Sequence, residues 1–302
     1  MSPLVDFSYV PDIFTHDTLA TGPNTPRAET LPRFGILERQ YETDTPEDAF
    51  KSQWQRLAKY LQHLNAKAPY EEQYKVLFVA RHGEGVHNVK EREVGREQWN
   101  EYWSRLEGDG NLTWVDPRLT NKGLEQAKAA GKFWIDANAV DMVPLPQKFF
   151  TSPLTRCLQT VEATWADVPM PESQPFQPVV VEATRELFGV HTCDRRSARS
   201  AIEFAFPTFK IEPSMTEEDE LWSADFRETA EDHGKLWRDF LSQLFEDSDS
   251  TYVSVTTHSG ATRALYTVLG HPDVWTAAGS VVPIVVCARG RSAMRSDALT
   301  EL

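Results

Sequence analysis

The sequence predicts an α/β fold in which a mostly parallel central sheet carries helices on both faces. Two observations predict it. Short apolar segments of strand length alternate with longer segments whose apolar residues recur at helical spacing, and polar turns follow the short segments. Parallel strands need a long crossover, usually a helix, so this alternation favours a three-layer arrangement.

The N-terminal third begins without a regular pattern. Residues 1–44 are rich in proline, threonine and aspartate, and we expect an irregular N-terminal arm there. A helix is predicted to begin at Thr45 and Pro46, because threonine caps helices and proline suits the first helical position. Its apolar residues, up to position 65, are Phe50, Trp54, Leu57, Leu61 and Leu64. A buried strand over 76–80 follows and ends in a glycine-containing turn.

The same succession of strand, turn and helix recurs along the chain. Further strands are predicted over residues 148–152, 179–182, 251–257 and 281–288. Helices are predicted over 121–138, after Pro153, over 224–245 with Phe226 on its apolar side, and after Gly260. No stretch has the composition of a linker. We therefore expect one domain over residues 1–302, with residues 90–118 as an inserted, lid-like segment.

Composition and charge limit the classes of partner. Of 302 residues, 40% are hydrophobic and 25% charged, which is ordinary for a globular protein. The formal net charge of −14 disfavours nucleic acid and anionic membrane surfaces, since both require dense lysine and arginine. It does not exclude a small anionic substrate held by a local group of arginines.

The cysteines and the N-terminal sequence indicate a compartment. The three cysteines show no CxxC spacing, which disfavours a disulfide framework and a zinc site and suits a reducing environment. The first residues lack the basic and apolar regions of a signal peptide, and no window reaches the ~18 apolar residues of a membrane helix. We expect a cytoplasmic protein with no membrane partner.

Polar residues follow the predicted strands where each strand ends. Because the carboxyl ends of parallel strands meet at one edge of a sheet, these residues are expected to converge on a ligand site. They are Arg81 and His82, then Ser152 and Arg156, then Arg185 and Glu186, and last His258, Ser259 and Gly260. Taken singly, each has an ordinary explanation such as a surface turn, a salt bridge or a buried histidine. Their joint placement favours a site.

A phosphate ligand gives each residue type a task. Arginine pairs bidentately with phosphate oxygens, and the helix N-termini after Gly83 and Gly260 offer backbone donors. A histidine nitrogen can attack phosphorus, and a carboxyl group can protonate the leaving oxygen. No run of aspartates suited to magnesium is present, so the arginines would neutralise the charge and neither a metal nor a cofactor is expected.

Four ordered motifs carry a resemblance to a known family. Arg81-His82-Gly83-Glu84 followed by Asn88 resembles the RHGE…N signature of the histidine phosphatase superfamily, which includes the phosphoglycerate mutases. The others are Leu119-Thr120 with Gly123 and Gln126-Ala127, Ser152-Pro153-Leu154 with Arg156, Gln159 and Thr160, and Thr257-His258-Ser259-Gly260. The resemblance covers about residues 74–290, and residues 185–194 are most similar to a fungal phosphomutase-like branch.

The resemblance implies a role for each matching residue. His82 is implied as the nucleophile that becomes phosphohistidine, Glu186 as the general acid and base, and His258 as a catalytic residue of the phosphate pocket. The implied phosphate-binding residues are Arg81, Asn88, Arg156, Ser259 and Gly260. Many family members place the acid four residues before a glycine, whereas Glu186 lies three before Gly189, so Glu182 and Glu84 remain alternatives.

Two neighbouring segments have features with alternative interpretations. Residues 90–118 contain Trp99, Tyr102, Trp103 and Trp114, which indicate packing of an inserted helix or, alternatively, a lid over an organic substrate. Arg195 and Arg196 would serve as a surface pair or bind a second anionic group. His191, Cys193 and Asp194 suggest a metal site, but no fourth ligand or matching spacing supports one.

The function predicted from these observations is hydrolysis of a small phosphorylated metabolite by a metal-independent phosphatase through phosphohistidine. The alternatives are a phosphomutase that returns the phosphoryl group to its substrate, a binding protein without turnover, and a pocket recruited for other chemistry.

Overall fold

A seven-stranded sheet forms the centre of the computed structural model, which describes residues 5–18, 25–67, 72–247 (without the side chain of residue 247) and 249–290. The strands β1 to β7 are Asp6–Tyr9, Glu72–Arg81, Lys148–Thr151, Pro178–Val180, Lys210–Ile211, Tyr252–Thr257 and Val281–Arg289. Their order is β1-β7-β2-β6-β3-β4-β5. In this order, the neighbours β2 and β6, β6 and β3, β3 and β4, and β4 and β5 pair in parallel, and β7 is antiparallel to β1 and β2. The predicted α/β class with a mostly parallel sheet is confirmed.

Helices cover both faces of this sheet. The helices α1 to α8 are Gln53–Lys67, Val86–Val94, Arg96–Glu101, Asn121–Asp141, Thr155–Trp165, Arg199–Ala205, Ala230–Asp247 and Ser259–Leu269. Alternate residues of β2 enter two separate cores. Val76 and Phe78 pack in one core with α1, α4 and α5, whereas Leu77 and Val79 pack in the other with α7 and α8. The period of two along a strand thus produces the three layers.

The N-terminal arm is more ordered than predicted. Residues Asp6–Tyr9 form an edge strand on β7, and Ala28 forms a parallel bridge with Thr276. A four-residue strand in a segment without periodicity gives too little pattern to be recognised, so the prediction of an irregular arm over 1–44 is wrong for these residues. Positions 1–4 and 19–24 of the predicted arm lie outside the described residues.

Two predicted helices begin later than expected, and each leaves a phenylalanine exposed. Pro46–Phe50 forms a separate 3₁₀ turn held by a Thr45–Asp48 capping box, so Phe50 lies off the apolar face and is 97% exposed. The helix predicted over 224–245 begins at Ala230. The backbone N–H of Glu228 donates to the Phe188 carbonyl and not to a carbonyl of the preceding helical turn. Phe226 is therefore 50% exposed.

The segment predicted as an insertion, residues 90–118, contains the C-terminal half of α2, the whole of α3 and a loop. Trp114 is fully buried and packs with Trp99 and Cys193, as the packing interpretation predicts. Tyr102 is exposed. None of the helices in the described part of the chain is both long and apolar enough to cross a membrane.

Candidate active site

The carboxyl ends of β2, β3 and β6 bring the predicted residues together. The His82 backbone N–H donates to the Thr257 carbonyl, and that of Ser152 donates to the Thr256 carbonyl, both over 3.0 Å. The segments after these strands consequently lie side by side. Above them is a cavity of about 310 Å³, whose lining includes Arg81, His82, Asn88, Arg156, Glu186, Ser259 and Gly260.

His82 is buried, and its hydrogen bonding determines which ring nitrogen carries the proton. Its Nδ1 lies 2.7 Å from the Gly83 carbonyl oxygen. Because a carbonyl only accepts, Nδ1 must carry the proton, and Nε2 of the neutral ring keeps a lone pair. Burial, and then the positive charges of Arg156 and Arg81, hold the pKa of His82 well below its usual range. The ring is therefore neutral at pH 7, the form in which it can act as a nucleophile.

The loop that carries His82 is held by residues of the other motifs. Thr160 Oγ1 accepts from the Gly83 N–H over 3.0 Å, and Gln126 Oε1 accepts from the Glu84 N–H over 2.8 Å. Gly83 also lies so close to Gly123 that a Cβ on either glycine would overlap the backbone of the facing segment. These motif residues act on the nucleophile indirectly, by fixing its loop.

Arg156 is buried, and its direction is fixed by three protein acceptors. Its guanidinium donates to the Cys193 carbonyl over 2.6 Å, to Asp194 Oδ1 over 3.0 Å and to His258 Nδ1 over 3.3 Å. Burial opposes its charge, but the Asp194 carboxylate raises the pKa of Arg156 above its usual value. A guanidinium has five N–H donors, so part of this fork stays free for a ligand.

Arg81 has fewer protein partners than Arg156. It donates to the Thr276 carbonyl over 2.9 Å, and its buried Nε has no hydrogen-bond partner among the described residues. Burial, followed by the charge of Arg27, lowers the pKa of Arg81 to about 10. Arg81 thus stays charged at neutral pH and faces the cavity with unused donors.

His258 lies behind the cavity, and both of its ring nitrogens are engaged. Nδ1 accepts from Arg156, so Nε2 carries the proton and donates to Ser152 Oγ over 2.8 Å. The His258 and His82 ring centroids are 5.0 Å apart, but His258 is fully buried and does not line the cavity. His258 accepts from Arg156 and thereby orients its guanidinium; the role implied for His258 in the phosphate pocket stays a prediction.

Glu186 lines the cavity at the N-terminus of α8. Its carboxylate accepts from the backbone N–H groups of Gly260 over 3.1 Å and Ala261 over 3.0 Å. A Cβ at Gly260 would overlap this carboxylate. The Gly260 N–H thus has a protein acceptor in Glu186. Ser259 and Gly260 both line the cavity, and their role as phosphate-binding residues stays a prediction.

The two alternative acids are bound elsewhere. Glu182 accepts from Arg185 over 3.0 Å and from Arg196 over 2.5 Å, in a buried network outside the cavity. Glu84 pairs with Arg92 over 2.8 Å and does not line the cavity. Of the three candidates, only Glu186 lies in the site.

The arginines that follow Glu182 serve the scaffold. Arg185 is buried and donates to both carboxylate oxygens of Asp219, over 2.8 and 2.6 Å, so it does not join the site. Arg196 is also buried, while Arg195 pairs with Glu107 over 2.7 Å. Neither Arg195 nor Arg196 lines the cavity, and the buried Arg196 does not form a surface pair with Arg195.

Asn88 shapes its own loop. Its Oδ1 accepts from the Gly85 N–H over 3.0 Å, and its amide nitrogen lies 2.9 Å from His87 Nε2. Asn88 nonetheless lines the cavity, where the other amide hydrogen is free for a ligand. His87, its neighbour in the RHGE…N segment, also lines the cavity and was missed by the sequence analysis.

The structure adds residues that the sequence analysis did not assign to a phosphate site, although it named Asp194 and His191 for a metal and Trp99 for a lid. Asp194 is buried between Arg156 and Arg227, and Arg227 Nη1 donates to it over 2.8 Å. Burial raises and the two arginines lower the pKa of Asp194, which ends below its usual value. Other residues that line the cavity are Arg27, Glu91, Arg96, Trp99, His191, Arg263 and Trp275. They come from irregular segments and helix faces, where the sequence has no periodic signal.

His191, Cys193 and Asp194 place three potential metal ligands within 4.8 Å of one another. Their chemistry does not suit a cation. Asp194 is already bound by two arginines, and burial keeps the pKa of the Cys193 thiol well above its usual value. A cation here would face two guanidinium groups and a protonated thiol.

Similarity to known proteins agrees with this geometry. The model of the histidine phosphatase superfamily (branch 1) matches residues 77–278. The chain is 40% identical over 286 residues to a "Probable phosphoglycerate mutase" of Arthroderma benhamiae, covering 94% of this chain and 85% of the relative. It is 34% identical to "Probable phosphoglycerate mutase PMU1" of Saccharomyces cerevisiae, covering 76% and 83%. It is 35% identical to "Phosphomutase-like protein 3" of Candida albicans, covering 70% and 65%.

These fungal relatives confirm the predicted resemblance to a phosphomutase-like branch. The matched region contains all four motifs and every residue of the predicted site, from Arg81 to Gly260. The chain belongs to the histidine phosphatase superfamily and is an enzyme of the phosphatase or mutase type.

Proposed function

We propose that this protein hydrolyses a small phosphomonoester through a phosphohistidine intermediate and without a metal ion. The observation that carries the proposal is the state of His82. It is a buried, neutral imidazole whose Nδ1 proton is bound by the Gly83 carbonyl, so that Nε2 keeps its lone pair beside Arg81 and Arg156.

The reaction takes two displacement steps. His82 Nε2 forms a bond to phosphorus while the bond from phosphorus to the ester oxygen breaks, and Glu186 in its protonated form gives that oxygen a proton. The oxygen of a water then forms a bond to phosphorus while the bond from phosphorus to His82 Nε2 breaks. Glu186 takes a proton of that water, and inorganic phosphate leaves. Arg81 and Arg156 stabilise the negative charge in both transition states.

Glu186 is assigned as the acid because the other carboxylates of the cavity are committed. Asp194 is buried between two arginines, which favour its ionised form. Glu91 pairs with Arg96 over 3.1 Å. Among the described residues, only backbone N–H groups donate to Glu186, so it is the carboxyl group of the site that is not paired with an arginine.

Hydrolysis requires water at the phosphohistidine, whereas a mutase excludes it. Arg27 and Arg96, which line the cavity, are exposed, so the cavity is open to solvent. This supports hydrolysis. The second candidate is a phosphomutase, which the names of the fungal relatives favour. Product analysis separates the two: a phosphatase releases inorganic phosphate, and a mutase forms an isomeric phosphate ester.

His82→Ala tests the proposal directly. We expect the rate of phosphate release from an aryl phosphate to fall by at least ~10³-fold, because no other group forms the covalent intermediate. His63→Ala is the matched control, since His63 is an exposed histidine paired with Glu42 outside the cavity. A His82→Ala protein with the rate of the unaltered enzyme would exclude the phosphohistidine route.

A further inference from the structure

The loop that carries Glu186 contains a strained backbone turn. We call this loop, residues 186–191, the acid loop. Val190 has a φ of 60°, a value that branched side chains rarely adopt. The His191 N–H donates to the Gly189 carbonyl over 2.7 Å and closes a three-residue turn around Val190. Such strain persists where surrounding contacts fix the backbone, and it concentrates at functional sites.

A second segment, residues 222–228, fixes this turn from one side, and we call it the clamp segment. The Trp222 indole N–H donates to the His191 carbonyl over 2.8 Å. The Val190 N–H donates to the Ser223 carbonyl over 2.8 Å. The strained residue and the residue after it are therefore both bound to the clamp segment.

The other end of the clamp segment approaches the acid loop still more closely. A Cβ at Gly189 would overlap the carbonyl oxygen of Phe226, so the two backbones meet only because this residue is glycine. The Glu228 N–H donates to the Phe188 carbonyl over 3.0 Å, and the Phe188 N–H donates to Glu228 Oε2 over 3.3 Å. The Glu228 carboxylate is thus a direct partner of the acid loop.

One buried histidine holds the Glu228 carboxylate. His233 lies in the first turn of α7 and is completely buried. Its Nδ1 lies 2.8 Å from Glu228 Oε2, the same oxygen that accepts from Phe188. Because a carboxylate only accepts, Nδ1 of His233 carries the proton and donates. The position of the Glu228 carboxylate therefore depends on a side chain of α7.

Helix α7 also contacts the segment that binds Glu186 from the opposite side. Trp237 Nε1 donates to the Ala261 carbonyl over 2.8 Å, and the Ala261 N–H donates to Glu186 over 3.0 Å. The acid is thus linked to α7 both through the acid loop and through α8. Glu228 and His233 do not line the cavity, so they reach the reaction only through these contacts.

We propose that Glu228 and His233 are positioning residues for the general acid, because they fix the acid loop so that the Glu186 carboxyl group reaches the leaving oxygen. The inference rests on the proposed function for the role of Glu186. Without the His233 donor, the Glu228 carboxylate loses the contact that directs it to Phe188. Proton transfer requires hydrogen-bond reach, and a shift of about 1 Å in a reacting group slows a reaction by up to ~10²-fold.

Two leaving groups of different basicity report the position of the acid. Phenyl phosphate and p-nitrophenyl phosphate differ by one nitro group, but phenolate needs a proton to leave far more than p-nitrophenolate does. Since kcat/KM covers the steps up to phosphohistidine, the ratio of the phenyl to the p-nitrophenyl value measures protonation by Glu186. The ratio is independent of the concentration of folded enzyme, because the same molecules hydrolyse both esters.

Three variants test the pair of positioning residues. His233→Leu removes the donor and Glu228→Leu removes the acceptor, whereas His233→Asn keeps an N–H near the position of Nδ1. We expect each leucine variant to lower the ratio by about fivefold or more, and His233→Asn to keep it within about twofold of the unaltered value. A loss in His233→Asn as large as in His233→Leu would overturn the role of the donor.

His16→Leu is the matched control. His16 is a buried histidine of the N-terminal arm that does not line the cavity. We expect its loss to leave the ratio within about twofold of the unaltered value, even where stability falls. Equal losses of the ratio in His16→Leu and His233→Leu would assign the effect to general destabilisation and overturn the inference.

Glu186→Gln separates the inference from the proposed function. We expect this variant to lower the ratio by about tenfold or more, because an amide supplies no proton to the leaving oxygen. If Glu186→Gln lowers the ratio and both leucine variants leave it unchanged, the positioning role is overturned and the acid assignment stands. An unchanged ratio in Glu186→Gln refutes the acid assignment, and the positioning role with it.

Discussion

Two pairs of arginines differ in how far the protein satisfies their N–H donors. Arg185 and Arg196 lie outside the cavity, whereas Arg27 and Arg81 line it. The first two are buried and donate to Glu182, Asp219 and several carbonyls. Arg27 has no hydrogen-bond partner, and Arg81 has a single carbonyl acceptor among the described residues. Arg185 Nε, like Arg81 Nε, has no hydrogen-bond partner among the described residues, so the difference lies in the carboxylates and in the cavity. An arginine paired with buried carboxylates stabilises the fold, whereas unused donors at a cavity are available to a ligand.

Arg156 combines the two states. It is as deeply buried as Arg185, and Asp194 and His258 fix its direction, yet it lines the cavity. Such an arginine is oriented before the ligand arrives, which reduces the reorganisation needed in the transition state. Burial alone therefore does not distinguish an arginine that stabilises the fold from one that can bind a ligand. The difference is whether some of its N–H donors face the cavity without a protein acceptor.

The largest expected effect is on stability, at Arg196. Arg196→Met removes the pair with Glu182 and the donors to the carbonyls of Thr216 and Glu218. We expect the free energy of unfolding to fall by about 3–5 kcal/mol, because buried acceptors lose their partner. Urea denaturation measures it. kcat/KM per folded molecule should stay close to that of the unaltered protein, since Arg196 does not line the cavity.

A loss below about 1 kcal/mol at Arg196 would contradict the comparison, because it would put this network on the level of an exposed ion pair. A loss of kcat/KM in the folded fraction would contradict it as well, since the network would then act on the site.

The part of the site that lies at strand ends could be predicted from the sequence. His82, Arg156 and Glu186 follow buried strands, and the parallel order of those strands brings them to one edge whatever the details of packing. The same reasoning placed Arg185 in the site. Its actual partner, Asp219, is 34 residues further along an irregular segment, and nothing in the local sequence indicates that pairing.

The remaining residues depend on the packing of irregular segments. Arg27 reaches the cavity because the arm pairs with the strand-like stretch near Trp275, and Arg227 reaches Asp194 from a loop 33 residues away. Neither position has a periodic pattern or a turn signal. The strand at Asp6–Tyr9 was missed for the same reason, because four residues in a proline-rich arm give no measurable alternation.

The second effect tests the orientation of Arg156. Arg156→Lys keeps the positive charge but loses the planar fork that binds Asp194 while other N–H donors face the cavity. We expect kcat/KM for an aryl phosphate to fall by about 10²–10³-fold, the usual consequence of removing one oriented donor from a transition state. Steady-state kinetics on protein with a native near-ultraviolet circular dichroism spectrum measures it. A loss of less than about tenfold would show that charge alone suffices.

The smallest effect belongs to Arg195, the direct neighbour of Arg196 in the sequence. Arg195 pairs with Glu107, which is exposed, and its guanidinium lies 5.1 Å from the Trp222 ring centroid. We expect Arg195→Gln to lower the free energy of unfolding by only about 0–1 kcal/mol, because solvent screens an exposed pair. The same urea denaturation, run beside Arg196→Met, measures the difference between adjacent arginines. Equal losses at the two positions would mean that the partners seen around Arg196 do not determine its contribution.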